Sequence, residues 1–194
     1  MRLTKILDFG HRLLEKAIEP GDLAIDATAG NGHDTKFLAE KVGSGGKVYA
    51  FDIQKEAIEA TAERLRKHDL LERVTLFHKG HEELKNCILP EHFGKIKAGV
   101  FNLGYLPGSD HSIITKPETT LIALKDLLHI LTVHGIVVIV IYSGHPGGED
   151  EKQAVLEYVS SLDQKIYQVL KYEFINQKNN PPILIAIEKI KEGD

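Results

Sequence analysis

Cysteine is nearly absent. Cys87 stands alone in 194 residues, so no disulfide framework can form, and a reducing cytosol is the simplest home, which makes the expected location cytoplasmic. Long apolar runs are missing too. The longest, Ile136 to Tyr142, is the size of a strand and falls far short of a membrane span. The opening residues, Met1-Arg2-Leu3-Thr4-Lys5, lead into an amphipathic pattern and not into the apolar core of a secretory signal. Charge of one sign is also scarce: the formal net charge of −4 offers nucleic acid no bulk attraction, so an RNA partner would need a local basic patch. No internal repeat, low-complexity tract or Pro/Ser linker marks a boundary, and a single domain over residues 1–194 is expected.

What is present is an alternation of strand and helix signals. Leu3, Ile6, Leu7, Leu13, Leu14 and Ile18 recur at helical spacing up to Pro20-Gly21. Strands are expected at 23–25, 47–51, 74–78, 96–101 and 136–142, with helices at 33–42, 55–67, around Glu82, at 118–131 and at 149–162. Strands that alternate with helices imply a parallel sheet with right-handed crossovers. Two more strands, at 167–174 and 183–190, have no helix between them and should form an antiparallel hairpin at the sheet edge. The expected fold is α/β: a seven-stranded sheet, mostly parallel, with helices on both faces.

The segment Asp26-Ala27-Thr28-Ala29-Gly30-Asn31-Gly32-His33-Asp34-Thr35 joins the first strand to its helix. Its glycines let the backbone turn sharply and approach a ligand closely. Asp52, at the end of the second strand, is placed to accept both hydroxyls of a ribose. That spacing suits a dinucleotide or S-adenosylmethionine, but Thr35 stands where the dinucleotide fingerprint has its third glycine. In these features the chain resembles the class I S-adenosylmethionine-dependent methyltransferases over nearly its whole length. The resemblance implies that Asp26 and the loop residues Thr28, Gly30, Asn31 and Gly32 face the methionine part of the cofactor. It also implies that Asp52, with Gln54 close by, takes the ribose. Gly80-His81-Glu82 stands where the family often has Gly-Asp at the adenine, which makes His81, and then Glu82, the adenine candidates.

The tetrapeptide Asn102-Leu103-Gly104-Tyr105 is expected where the fourth strand ends and a loop begins. Ligands of open α/β sheets bind outside the carboxyl ends of the strands. There the Asn oxygen and the next carbonyl can accept N–H bonds from an amine, and the Tyr ring can stack on a flat substrate. An Asn in this place can also simply cap the turn. The tetrapeptide resembles the Asn/Asp-Pro-Pro-Tyr motif of amino-methylating enzymes, without its prolines. With the long loop Leu106 to Thr120 and the segment Tyr142-Ser143-Gly144-His145-Pro146-Gly147-Gly148-Glu149, the chain is similar to the MnmM-type tRNA methyltransferase family.

That resemblance implies methyl transfer to the exocyclic amine of 5-aminomethyl-2-thiouridine at the wobble position, giving 5-methylaminomethyl-2-thiouridine. The partner it implies is the tRNA anticodon stem-loop, and the assembly a homodimer. An aliphatic amine must lose a proton before it can attack, and Asp110, His111, Tyr142 and His145 are the titratable groups on the flanking loops, with Asp110 and His145 ranked first. Asn102 and Tyr105 complete the catalytic set, and Asn102 also borders the cofactor. Leu103, Gly104, Tyr105, His111, Lys116 and Tyr142 are the substrate-side candidates. His78-x-x-His81 lacks thiol partners and a second pair at ligand spacing, so no metal is expected. His11, His68, His92, His129 and His134 read as surface or packing residues. The competing readings are methylation of rRNA or of a small-molecule amine, and a non-catalytic module that binds the cofactor.

Overall fold

The apolar face of helix α1 (Ile6–Ala17) is what first ties the chain to its sheet: Ile6 and Leu14 are buried, and Gly10 lies so close to the sheet that a Cβ there would meet side chains of Leu184 and Val138 at 3.1 Å. The structure, a computed structural model, describes residues 2–106 and 114–193. After α1 come β1 (Leu23–Asp26), α2 (His33–Val42), β2 (Lys47–Asp52), α3 (Lys55–Arg66), β3 (Val74–His78), α4 (Leu84–Cys87) and β4 (Ile96–Leu103). The remainder is α5 (Pro117–Ile130), β5 (Leu131–Ile141), α6 (Gly148–Ser160), β6 (Tyr167–Tyr172) and β7 (Ile183–Lys189).

The seven strands form one sheet in the order β3-β2-β1-β4-β5-β7-β6. The first five pair in parallel, and β7 runs antiparallel to both β5 and β6. The expected terminal hairpin is therefore present, but its second strand is the one that joins the parallel block, and β6 becomes the edge. Successive side chains of the central strands point to opposite faces. Ile25, Phe51 and Phe101 pack with Leu124 and Leu127 of α5 on one face. Ala24, Ala50 and Val100 pack with Leu14 of α1, Leu38 of α2 and Leu65 of α3 on the other. Helices on both faces explain why these strands read as continuous apolar runs.

Most element ends shift by one or two residues from the sequence reading, and the shifts in β4 and β5 bear on the site. Strand β4 runs on through Asn102 and Leu103, because Asn102 pairs with Val140 and Leu103 with Ile141. The acceptor motif thus begins inside a strand and not in a loop. Strand β5 begins at Leu131, opposite Ile96, and the register then shifts so that Ile136 meets Ala98. The residues between bulge out, with His134 at φ 60°. Among the described residues no helix is long and apolar enough to cross a membrane.

Candidate functional site

A cavity of about 970 Å³ opens at the carboxyl ends of β1, β2, β4 and β5. The turn after β1 forms one wall. Gly32 caps α2 at φ 76°, and a Cβ there would sit 2.9 Å from the Cα of Thr61, so α3 packs too close for any other residue. Helix α3 also holds the turn by its carbonyls: the Thr61 hydroxyl donates to Gly30 O at 3.0 Å and Arg64 Nε to Asn31 O at 2.6 Å.

Asp52, at the end of β2, accepts the Gly30 N–H on Oδ2 and the Gln54 N–H on Oδ1, each at 2.9 Å. Burial raises its proton affinity above the ordinary carboxylate range, against the pull of those two bonds. Thr28, Gly30, Asn31, Asp52, Gln54, His81 and Glu82 all reach the cavity wall. His81 is buried, its Nδ1 donating to Ala27 O at 3.1 Å, and burial lowers its proton affinity, which keeps the ring neutral.

Asp26 and Gly32 behave differently from expectation, because neither lines the cavity. Asp26 is fully buried, and its carboxylate accepts the Thr28 N–H at 3.1 Å and the Thr35 hydroxyl at 2.6 Å. It shapes the turn from behind. Burial first, and then the charge of Asp34, push its pKa up to about 7.

The acceptor wall is built from β4 and the segments it pairs with. The Asn102 N–H donates to Thr28 Oγ1 at 2.7 Å, and Asn102 Nδ2 donates to Asp34 Oδ2 at 2.5 Å. Leu103 is wholly buried and does not reach the cavity, whereas Gly104, Tyr105, Lys116, Tyr142 and His145 do. Gly104, at φ 154°, exchanges two bonds with Thr115, its N–H to Oγ1 and its C=O from the N–H, each at 2.9 Å. Tyr105 meets the His145 ring edge-on with centroids 5.7 Å apart. His145 Nδ1 donates to Pro146 O at 3.0 Å, which leaves the lone pair on Nε2, a buried atom without a partner among the described residues. Burial, and then the charge of Asp34, raise the proton affinity of Tyr142, so its phenol stays protonated. Asp110 and His111 lie outside the described residues.

The sequence reading gives Asp34, Thr115 and Glu151 no role of their own and takes His11 for a surface or packing residue. Asp34 lies on the cavity wall and bonds both Asn102 and His11 Nε2, the latter at 2.5 Å, so His11 is not a plain surface or packing residue. Glu151 is 1% exposed and accepts the hydroxyls of Thr115 and Thr120 at 2.6 and 2.7 Å. The available signal for Asp34 was its place in the cofactor turn; Glu151 carried none.

Residues 48–188 match the family described as "Putative rRNA methylase". An Arabidopsis thaliana protein named "tRNA (mnm(5)s(2)U34)-methyltransferase, chloroplastic" is 38% identical over 193 residues, which cover 95% of this chain and 70% of that protein. The solved structure of a "putative rRNA-methylase" from Clostridium thermocellum is 45% identical with a TM-score of 0.94, over 98% of this chain and 100% of the other. A "putative methyltransferase" from Streptococcus mutans, solved in complex with SAH, is 39% identical with a TM-score of 0.87, over 96% and 99% of the two chains.

Proposed function

Since this chain belongs to the MnmM-type family described as "Putative rRNA methylase", we propose that it methylates the exocyclic amine of 5-aminomethyl-2-thiouridine at the wobble position of tRNA, giving 5-methylaminomethyl-2-thiouridine. It is a methyltransferase dependent on S-adenosyl-L-methionine. The family description names rRNA and the Arabidopsis relative names tRNA. The relative is matched along 95% of this chain, and it supports the tRNA reading. The observation that carries an amine acceptor is the Asn102 side chain on the cavity wall, close to the glycine turn that borders the same space.

The donor set fits the cofactor. Asp26, Asp34 and Asp52 gather round one turn, and the charges of Asp34 and Asp52 help raise the proton affinity of Asp26; a cationic ligand relieves that repulsion. Thr28, Gly30, Asn31, Asp52, Gln54, His81, Glu82 and Asn102 are the residues that would hold it. When bound, it supplies a methyl group on a sulfonium, an electrophile that needs no metal. The remaining work falls to this chain. Asn102 orients the amine, and alignment supplies much of the rate. Tyr105 gives the base a stacking face. His145 Nε2 carries a lone pair suited to take the amine proton, with Asp110 the equal candidate and His111 after them. Tyr142 donates from its phenol, and Lys116 meets phosphate.

The partner is the tRNA anticodon stem-loop, the assembly a homodimer and the location cytoplasmic. The test is mass spectrometry of nucleosides from tRNA of a deletion strain, before and after incubation with the purified protein and labelled cofactor. Label on the aminomethyl nitrogen of the wobble uridine is the expected result. Label on a ring carbon or a ribose oxygen overturns the amine acceptor, and label confined to rRNA overturns the substrate.

A further inference from the structure

Asp34, in the first turn of α2, is where three elements meet. Its Oδ1 takes the bond from His11 Nε2 of α1 and its Oδ2 the bond from Asn102 Nδ2 of β4, both at 2.5 Å. Neither partner is loose. The His11 ring lies flat on Phe37, with centroids 4.1 Å apart and planes 4° from parallel, and the Asn102 backbone is pinned by Thr28. The Asp34 side chain is only 16% exposed and forms part of the cavity wall.

An amide has two nearly isosteric orientations, and alone at a strand end Asn102 could present either its oxygen or its NH₂ to a substrate. A carboxylate offers only lone pairs, so Asp34 admits one orientation: NH₂ toward the carboxylate and carbonyl oxygen away from it. We propose that Asp34 is a positioning and specificity residue for the acceptor, locking the Asn102 carbonyl oxygen toward the substrate and setting a negative charge beside it. This inference rests on the amine-acceptor reading above and names what selects the amine.

The selection follows from charge. An aminomethyl nitrogen resembles a lysine amine and arrives as a cation. The exocyclic amines of adenine and cytosine are neutral donors, and a hydroxyl brings no charge. All of these can bond the Asn102 oxygen, but only the cation gains from the carboxylate, whose side chain is mostly buried. Asp26 lies close enough to Asp34 for the two charges to repel, and the Tyr142 phenol on the cavity wall feels the same field. Among the described residues the only ion-pair partner of Asp34 is His11, whose stacked ring orients the carboxylate.

The experiment uses Asp34→Ala, Asp34→Asn and His11→Phe in the full chain. The probes are two synthetic anticodon stem-loops, one with 5-aminomethyl-2-thiouridine and one with 5-hydroxymethyl-2-thiouridine at the wobble position. Asp34→Ala should lower kcat on the amine by about a hundredfold, the scale expected when a reacting group is misplaced by an ångström. Calorimetric affinity for S-adenosylmethionine should fall far less than kcat does. Asp34→Asn can still accept the Asn102 N–H in one of its two orientations, so it should lose less kcat than Asp34→Ala and raise KM, with a weakened preference for the amine stem-loop over its hydroxyl counterpart in competition binding. His11→Phe preserves the stack on Phe37 and should fall between the two.

A second readout needs no turnover. Solvent exchange of the Asn102 side-chain amide protons, followed by nuclear magnetic resonance, should speed up in Asp34→Ala and far less in Asp34→Asn. Wild-type kcat and exchange in Asp34→Ala would overturn the proposal. A cofactor affinity that falls in step with kcat would also overturn it, moving Asp34 into the cofactor site. If the wild-type protein methylates no stem-loop, the substrate reading fails by itself, and the amide exchange still decides whether Asp34 holds Asn102.

Discussion

Asp26 carries its charge in the least hospitable place in the molecule, wholly buried behind the cofactor turn. Its pKa rises from an ordinary 3.8 to about 7, so the folded chain holds that proton more tightly than the unfolded one. The stability this contributes is complete below about pH 4 and is lost as pH climbs through about 7. Asp26→Asn fixes the neutral form. Its melting temperature relative to wild type should therefore rise between about pH 4 and about pH 7, and a flat difference would sink the argument. Asp52 differs because it is reachable from the cavity. Asp52→Ala should weaken cofactor binding by about 1.5–3 kcal/mol, as expected for lost bonds to a charged group, and an unchanged calorimetric affinity would remove Asp52 from the site. The acids of the cofactor turn and the acceptor tetrapeptide were legible because their spacing is local. Asp34 was written in the same turn, but its meaning was not. It depends on His11, 23 residues back, and on Asn102, 68 residues on, and only the fold brings these together.

Helix α6 reaches the site through a single buried side chain. Glu151 lies in its first turn and ties Thr120 of α5 to Thr115, which in turn holds the Gly104 N–H. Glu151→Ala leaves the buried Thr120 hydroxyl and the half-buried Thr115 hydroxyl without their acceptor and should cost about 1–3 kcal/mol. Urea unfolding should show a lower midpoint with an unchanged slope; an unchanged midpoint would mean that the tie is slack. Nothing in the sequence distinguishes Glu151 from its neighbours Glu149 and Asp150, which are exposed, since acids are welcome in any first helical turn. The strands were easier to read. Burial on both faces leaves each central strand an apolar run that ends in polar or glycine residues. The largest misses were partner-dependent ends: β4 gains Asn102 and Leu103 from pairing with β5, and β5 gains Leu131 across a bulge that apolar periodicity hides.

The sheet has two edges, β3 and β6, and the second leaves Val169 and Leu170 in solvent at 40% and 46% exposure. An exposed apolar edge strand invites pairing, and symmetric dimers are the commonest oligomers. Light scattering at micromolar protein should give the mass of two chains, and a single-chain mass would refute the homodimer. Helix α1, which supplies His11, is held from the far end of the chain: Gly10 lies against Leu184 of β7, Phe9 stacks on Tyr172 of β6 at 4.3 Å, and the Tyr172 hydroxyl donates to Thr4 O at 2.8 Å. The order of synthesis on the ribosome then runs against the order of assembly. A nascent chain that already displays the cofactor turn, Asp34 and Asn102 can lay α1 against β4 and β5, but the part of its seat that β6 and β7 supply is made last. A polypeptide cut short before residue 183 would carry every motif of the site but lack the β7 contacts that help hold the helix supplying His11.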